Sequence, residues 1–204
     1  MATRPYRSRS GTDRSQETRE RILRAVRELL AEGAFHTSTV EQVADRAGVA
    51  RATVYQHFRS RIDLIDAICE TFDANPALLE IRSIVELEDA DAALDGTIAA
   101  VVRFWSSEEA IVRQLYGLTA IDPAAAELVK RQRADRRSEM DRLARNLRRA
   151  GRIAGGAGEH RAAALLMVLT SYETYAELRA AGSSDRQAAT LLQESARRLL
   201  APAS

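Results

Sequence analysis

One short stretch concentrates the side chains best suited to reading a nucleic acid. In Arg51-Ala52-Thr53-Val54-Tyr55-Gln56-His57-Phe58, Val54 and Phe58 are spaced to share one apolar face of a helix. Arg51, Ala52, Thr53, Tyr55 and His57 then lie largely outside that face. A guanidinium can bond guanine O6 and N7 in a bidentate pair. A threonine hydroxyl reaches a phosphate or a base edge while its methyl touches thymine. Tyrosine and histidine can donate to phosphate. A merely solvated surface carries the same residue types, so the elements around the stretch decide between the two readings.

Other chemistries find little support. The histidines are His36, His57 and His160, and the one cysteine is Cys69, so neither an internal disulfide nor a paired-thiol metal site is possible. No H-E-x-x-H, phosphate loop or G-x-S-x-G occurs. Gly155-Gly156-Ala157-Gly158 follows no strand pattern and reads as a loop. The carboxylate pairs Asp89/Asp91 and Glu108/Glu109 read as helix starts, where negative charge suits the dipole. The chain is therefore expected not to be an enzyme and to need no cofactor or metal.

The stretch sits in a frame that can position it. From Thr39 the chain reads T-V-E-Q-V-A-D-R-A-G-V-A-R-A-T-V-Y-Q-H-F. Val40, Val43, Ala44 and Ala47 make a short helical stripe that ends at Gly48. Glycine adopts positive φ cheaply, so two short helices can meet there at a steep angle. Ala44 is small where the second helix must pass closely. Two caps are available for the first helix, Ser38 with Glu41 or Thr39 with Gln42, and either pair fits a capping box. After the second helix, Ser60 and Asp63 mark another helix start, with Arg61 at an N-terminus where phosphates bind well. This is a helix-turn-helix by spacing, and the chemistry points to DNA.

The whole chain reads as all-α. Apolar residues recur at three and four, and no short β-branched alternation appears. Ile22, Ala25, Val26, Leu29 and Leu30 form a stripe ended by Gly33. Leu64, Ile65, Ile68, Cys69 and Phe72 form another, and Pro76 interrupts the pattern. Leu94 to Trp105 and Ile111 to Leu118 follow, and Asp122-Pro123 starts a helix that runs to Ala150. Glu159–Ala181 and Asp185–Ala201 read as the last two helices. Charge is uneven beneath a net of +1: residues 1–61 hold 12 arginines against 7 acids, and the remainder holds 18 basic and 22 acidic residues. A basic head on an acidic body points to two jobs in one chain. The longest apolar run, Ala162 to Leu169, has eight residues, where a membrane span needs about 20. No membrane association is expected.

Gly33 with Phe35, Thr39-Val40, Ala47-Gly48-Val49, Thr53-Val54-Tyr55, His57-Phe58 and Ser60-Arg61 resemble the tetracycline-repressor (TetR/AcrR) family of transcriptional regulators. The resemblance covers about residues 16–65, and beyond it only length and helical character match. It implies an all-α protein with a three-helix amino-terminal DNA-binding domain and a helical ligand-binding and dimerisation domain, about nine helices in all. The domain expectation is a basic arm over 1–15, the helix-turn-helix domain over 16–62 and the second domain over 63–204. Carried over by position, Thr39, Tyr55, His57 and Arg61 hold phosphates, and Arg51, Ala52 and Thr53 face bases. Two positions depart from the family pattern. Ala50 stands where serine is frequent, which removes a cap, and Arg61 stands where lysine is usual. The resemblance further implies a homodimer on double-stranded operator DNA, acting as a repressor released by a small-molecule effector. It also implies a bacterial cytoplasmic location, at the nucleoid when DNA is bound.

Three features stay open at this level. Arg4, Arg7, Arg9 and Arg14 form either a solvated tail or an arm along the duplex. Phe104, Trp105, Tyr116, Tyr172 and Tyr175, with Gln114 and Glu173 as polar partners, form either core or the lining of a pocket for an apolar or amphipathic ligand. Lys130 to Arg137 reads as a solvated helix face or a second basic site. Glu159–Ala181, apolar nearly all round, and the Leu191-Leu192-Leu199-Leu200 stripe are the expected dimer helices. The alternative regulator is one controlled by a protein partner or by no ligand; an interior cavity separates the two.

Overall fold

The structure, a computed structural model, is described for residues 11–153 and 157–201. Within them lie ten α-helices, one 3₁₀ turn and no strand. Contacts divide the chain into two compact units, Met1–Ile68 and Cys69–Ser204. The division falls inside the fourth helix, a few residues beyond the boundary expected from sequence at 62–63.

The first unit holds α1 (Gly11–Ala31), a 3₁₀ turn (Phe35–Thr37), α2 (Val40–Ala47), α3 (Arg51–His57) and the first turns of α4 (Arg61–Phe72). α1 buries Ile22, Val26, Leu29 and Leu30, at the three- and four-residue spacing that makes one helical face. It ends in a Schellman turn. Gly33 has φ 71°, Ala34 donates to Leu29 at 2.9 Å and Gly33 donates to Leu30 at 3.0 Å. Phe35, Val43, Ala44, Val54 and Phe58 complete the core of the unit. Each large apolar side chain buried there contributes about 1.5–3 kcal/mol. Because α1 starts at Gly11, Arg14 lies inside a helix and is not part of an arm. Arg4, Arg7 and Arg9 lie outside the described residues.

The second unit contains the last turn of α4, then α5 (Pro76–Ile84), α6 (Ala90–Leu118), α7 (Pro123–Arg149), α8 (Ala157–Leu169), α9 (Tyr172–Ala180) and α10 (Asp185–Leu200). α6 packs against α5, α7, α9 and α10, and α8 packs against α7 and α10. Three readings are corrected here. Pro76 does not simply break a pattern. It is the first residue of α5, with Asn75 capping Ala77 N–H at 3.0 Å. α6 runs unbroken through both apolar stripes, so Glu108 and Glu109 sit inside a helix and not at a start. The segment expected as one helix over Glu159–Ala181 is two. The Thr170 hydroxyl bonds back to Leu166 O at 2.6 Å, and Ser171 turns extended and caps Thr174 N–H at 3.1 Å. A hydroxyl pair of this kind offers the backbone an alternative to the helix.

Candidate nucleic-acid interface

The cap of α2 resolves the sequence alternatives. Thr39 Oγ1 accepts from Gln42 N–H at 3.2 Å, and Gln42 Oε1 accepts from Thr39 N–H at 2.8 Å. Thr39 is exposed, and its hydroxyl proton remains available to a phosphate. The turn closes at Gly48, with φ 63°, and Val49 N–H returns to Ala44 O at 3.0 Å. Arg21 of α1 clamps this turn from below. Its Nε and Nη2 donate to Ala47 O at 3.1 and 2.7 Å, and Nη2 also donates to Gly48 O. The positive φ favours glycine at position 48, and a Cβ there would stand 2.9 Å from Arg21 Nη2 and push the clamp aside.

α3 is anchored by Val54, with Phe58 following at its C-terminal cap, both buried. Arg51, Ala52 and Tyr55 are exposed, and Thr53 and His57 are half-buried. Six sequence-predicted residues thus lie along α3 and the start of α2: Thr39, Arg51, Ala52, Thr53, Tyr55 and His57. The Arg51 guanidinium lies 5.5 Å over the Tyr55 ring, and a hydrogen bond with Tyr55 raises the Arg51 pKa. Tyr55 therefore holds Arg51 on the outer face. Ala50 makes no side-chain cap to α3.

The seventh residue, Arg61, is placed differently. Its guanidinium turns inward, donating to Ser38 O and lying 4.2 Å over the Phe35 ring. Its neighbour caps do follow the sequence reading. Ser60 Oγ donates to Asp63 at 2.7 Å, and Asp63 N–H returns to Ser60 Oγ at 3.2 Å. The Ser60 hydroxyl above all, joined by the Arg59 and Ser60 backbone N–H groups, holds the Asp63 pKa below its ordinary value against the opposing effect of burial.

The second unit contains a cavity of about 120 Å³. Its wall includes Phe104, Trp105 and Tyr116, together with Phe72, Ile81, Val101, Leu115 and Met140. Tyr172 and Tyr175 do not line it. Tyr172 stands behind the wall, its ring centroid 5.6 Å from Trp105 and 5.1 Å from Tyr116. Tyr175 is buried in the core, with its hydroxyl donating to Asp185 Oδ1 at 3.1 Å. Burial, more than Asp185, pushes its phenol up to about 12. Neither Gln114 nor Glu173 reaches the cavity. The polar lining comes instead mostly from α7, through Gln132, Arg133, Asp135, Arg136 and Glu139. The Lys130–Arg137 run is thus two-faced, solvated on one side and lining the cavity on the other. A sequence cue was present: Leu128, Gln132, Arg136, Met140 and Leu147 keep the helical stripe of α7, with two polar residues at otherwise apolar positions.

The fold and the outer face of α3 define a helix-turn-helix DNA-binding protein. Comparisons agree with this. Residues 22–68 match the model of bacterial regulatory proteins of the tetR family. The transcriptional regulator UidR of Escherichia coli K12 is 26% identical over 167 residues, 81% of this chain and 84% of UidR. The structure of Salmonella enterica GusR is 27% identical, covers 90% of this chain and 95% of GusR, and superposes with a TM-score of 0.71. The structure of a SmeT–triclosan complex, 19% identical, covers 91% of this chain and 92% of SmeT with a TM-score of 0.69, a likeness of fold. Residues 22–68 thus form a tetR-type helix-turn-helix, and the chain is similar over most of its length to regulators of transcription, not to enzymes. No helix of the described residues is long and apolar enough to cross a membrane.

Proposed function

We propose that the chain is a homodimeric repressor that holds a pseudo-palindromic operator and leaves it when a small, largely apolar ligand enters the cavity of the second unit. The observation that carries the DNA half is the outward set of Arg51, Ala52 and Tyr55 on a helix anchored by Val54 and followed by buried Phe58. Arg51, Ala52 and Thr53 face bases. Thr39, Tyr55 and His57 hold phosphates. Arg61, to which the resemblance gives a phosphate, acts here mainly by fixing Phe35 and Ser38 beneath α2.

Dimerisation is supported by surface chemistry. Val168 on α8 and Leu191 and Leu199 on α10 are 63%, 48% and 49% exposed, and those two helices pack on each other. Apolar residues in such numbers on adjacent helices favour a partner, and a second copy sets two reading helices roughly 34–36 Å apart, one DNA turn. The cavity favours a small effector over a protein partner, and a relative of the same fold, SmeT, is a triclosan complex. A ligand that binds better in a different spacing of the reading helices shifts the population away from the DNA-bound state. The protein acts at the nucleoid in the cytoplasm.

A nuclease footprint of the purified protein on the DNA upstream of its own gene tests this reading. The expected result is a protected pseudo-palindrome at near-physiological salt, lost in Arg51→Ala. Binding that is weak, salt-sensitive and equal on all sequences contradicts it.

A further inference from the structure

We propose that the cavity takes an amphipathic organic acid, and that Arg136 is the counter-cation of its carboxylate. The inference rests on the effector reading above and names the chemistry of the effector.

The argument begins with the charges around the cavity. Arg82 pairs with Asp73 at 3.0 Å, Arg133 pairs with Glu173 at 2.6 Å, and Glu139 is taken by Arg142 at 2.8 Å. Asp135 is exposed. Arg136 is the exception. Among the described residues no carboxylate lies within ion-pair reach of it. Its one polar contact is a hydrogen bond donated to Thr170 O, and the Trp105 ring lies 5.9 Å away. Burial pulls its pKa down, and neighbouring Arg133 adds to this against the attraction of Tyr116 and Glu173. A guanidinium nevertheless stays protonated in proteins.

A cation withdrawn from water without an opposite charge is costly, and the cost falls when an anion arrives. Thr170 O cannot supply that charge. It is a neutral acceptor that already takes Trp105 Nε1–H at 3.0 Å. Arg136 carries further N–H donors in a planar fork, which matches two oxygens of a carboxylate. One uncompensated positive charge calls for one negative charge, so the head group is a monocarboxylate. Beside these polar groups the wall is hydrocarbon, from Phe72, Ile81, Val101, Phe104 and Leu115. A volume of about 120 Å³ accommodates on the order of ten water-sized groups. A medium-chain acid fills that space with its tail on the apolar wall and its head at Arg136.

Trp105 is the one tryptophan of the chain and lines the cavity, so its emission reports occupancy directly. Octanoate and octan-1-ol are titrated into the full-length protein at neutral pH. Octanoate is expected to bind about tenfold or more tighter than octan-1-ol, as a charge-assisted pair requires. Arg136→Met should abolish that preference and leave octan-1-ol binding as it was, which also shows that the variant folds. If Arg136→Met loses both ligands, Arg136→Lys decides: it should keep a reduced preference for the acid. Equal affinities in the wild type, or a preference undiminished in both variants, overturns the assignment while the effector reading stands. No change of emission with either ligand overturns both.

Discussion

Two guanidinium groups separate the two units. Arg51 stands in water on α3, steadied by the Tyr55 ring four residues on. Arg136 stands half-buried on α7 at the cavity wall, with a carbonyl and an indole for company. In water, charge attraction is weak and salt-screened, so an exposed arginine is costless to keep and gains energy only when a phosphate or base arrives. In an apolar cavity the same group is unfavourable until its counter-ion enters. The head thus displays its charge, and the body withholds one. The head also uses arginine as mortar. Arg21 closes the carbonyls of Ala47 and Gly48, and Arg61 closes that of Ser38.

If the head is a rigid display, breaking its supports should cost more than touching its surface. Phe35, 2% exposed beneath Arg61, is the largest such support. Phe35→Ala should destabilise the amino-terminal unit by about 3–5 kcal/mol. It should also abolish operator binding, although Phe35 touches no DNA. Hydrogen exchange along α1 to α3 reads the effect, and unchanged protection there would mean that the head is not held this way. Gly48→Ala comes next. Forcing a Cβ into positive φ costs about 1–2 kcal/mol, and the displaced Arg21 clamp adds to it. The loss should appear in thermal unfolding of the head, with the cavity response of Trp105 untouched.

Smaller changes sharpen the contrast. Ala50→Ser restores the missing cap of α3 and should stabilise it by about 1 kcal/mol, seen as slower exchange at Thr53 and Val54. No gain would mean that α3 is already fixed by its anchors. The smallest effect is acid sensitivity. Asp63 has a lowered pKa in the folded state. Its stabilising contribution is therefore present above the unfolded value of about 3.9 and lost as pH falls through the folded one. Asp63→Asn should flatten the stability of the head over that acid window. An unchanged acid limb would assign the sensitivity to other groups.

The sequence disclosed the head well because its determinants are local. The Thr39/Gln42 box, the Gly48 turn, the Val54 and Phe58 anchors and the Ser60/Asp63 cap each act within four residues. The body was legible only as helices. The end of α8 depends on which way the hydroxyls of Thr170 and Ser171 turn, and both also occur inside helices. Arg61 shows the same limit within the head: its position at a helix start favoured phosphate, yet its side chain runs to Ser38, 23 residues away in sequence. Residue type and spacing leave Tyr172 and Tyr175 open between core and pocket lining. Their actual neighbours, Trp105 and Asp185, depend on how α6, α9 and α10 cross.

The division of labour between the two arginines is tested most directly by one measurement, the anisotropy of a labelled operator fragment titrated with protein, with and without octanoate. The account predicts that Arg51→Ala loses about 1–3 kcal/mol of operator affinity and relaxes specificity at one base pair, while still binding octanoate by Trp105 emission. It predicts that Arg136→Met holds the operator as the wild type does and no longer releases it with octanoate. Loss of operator affinity in ligand-free Arg136→Met, or full operator affinity in Arg51→Ala, would contradict it.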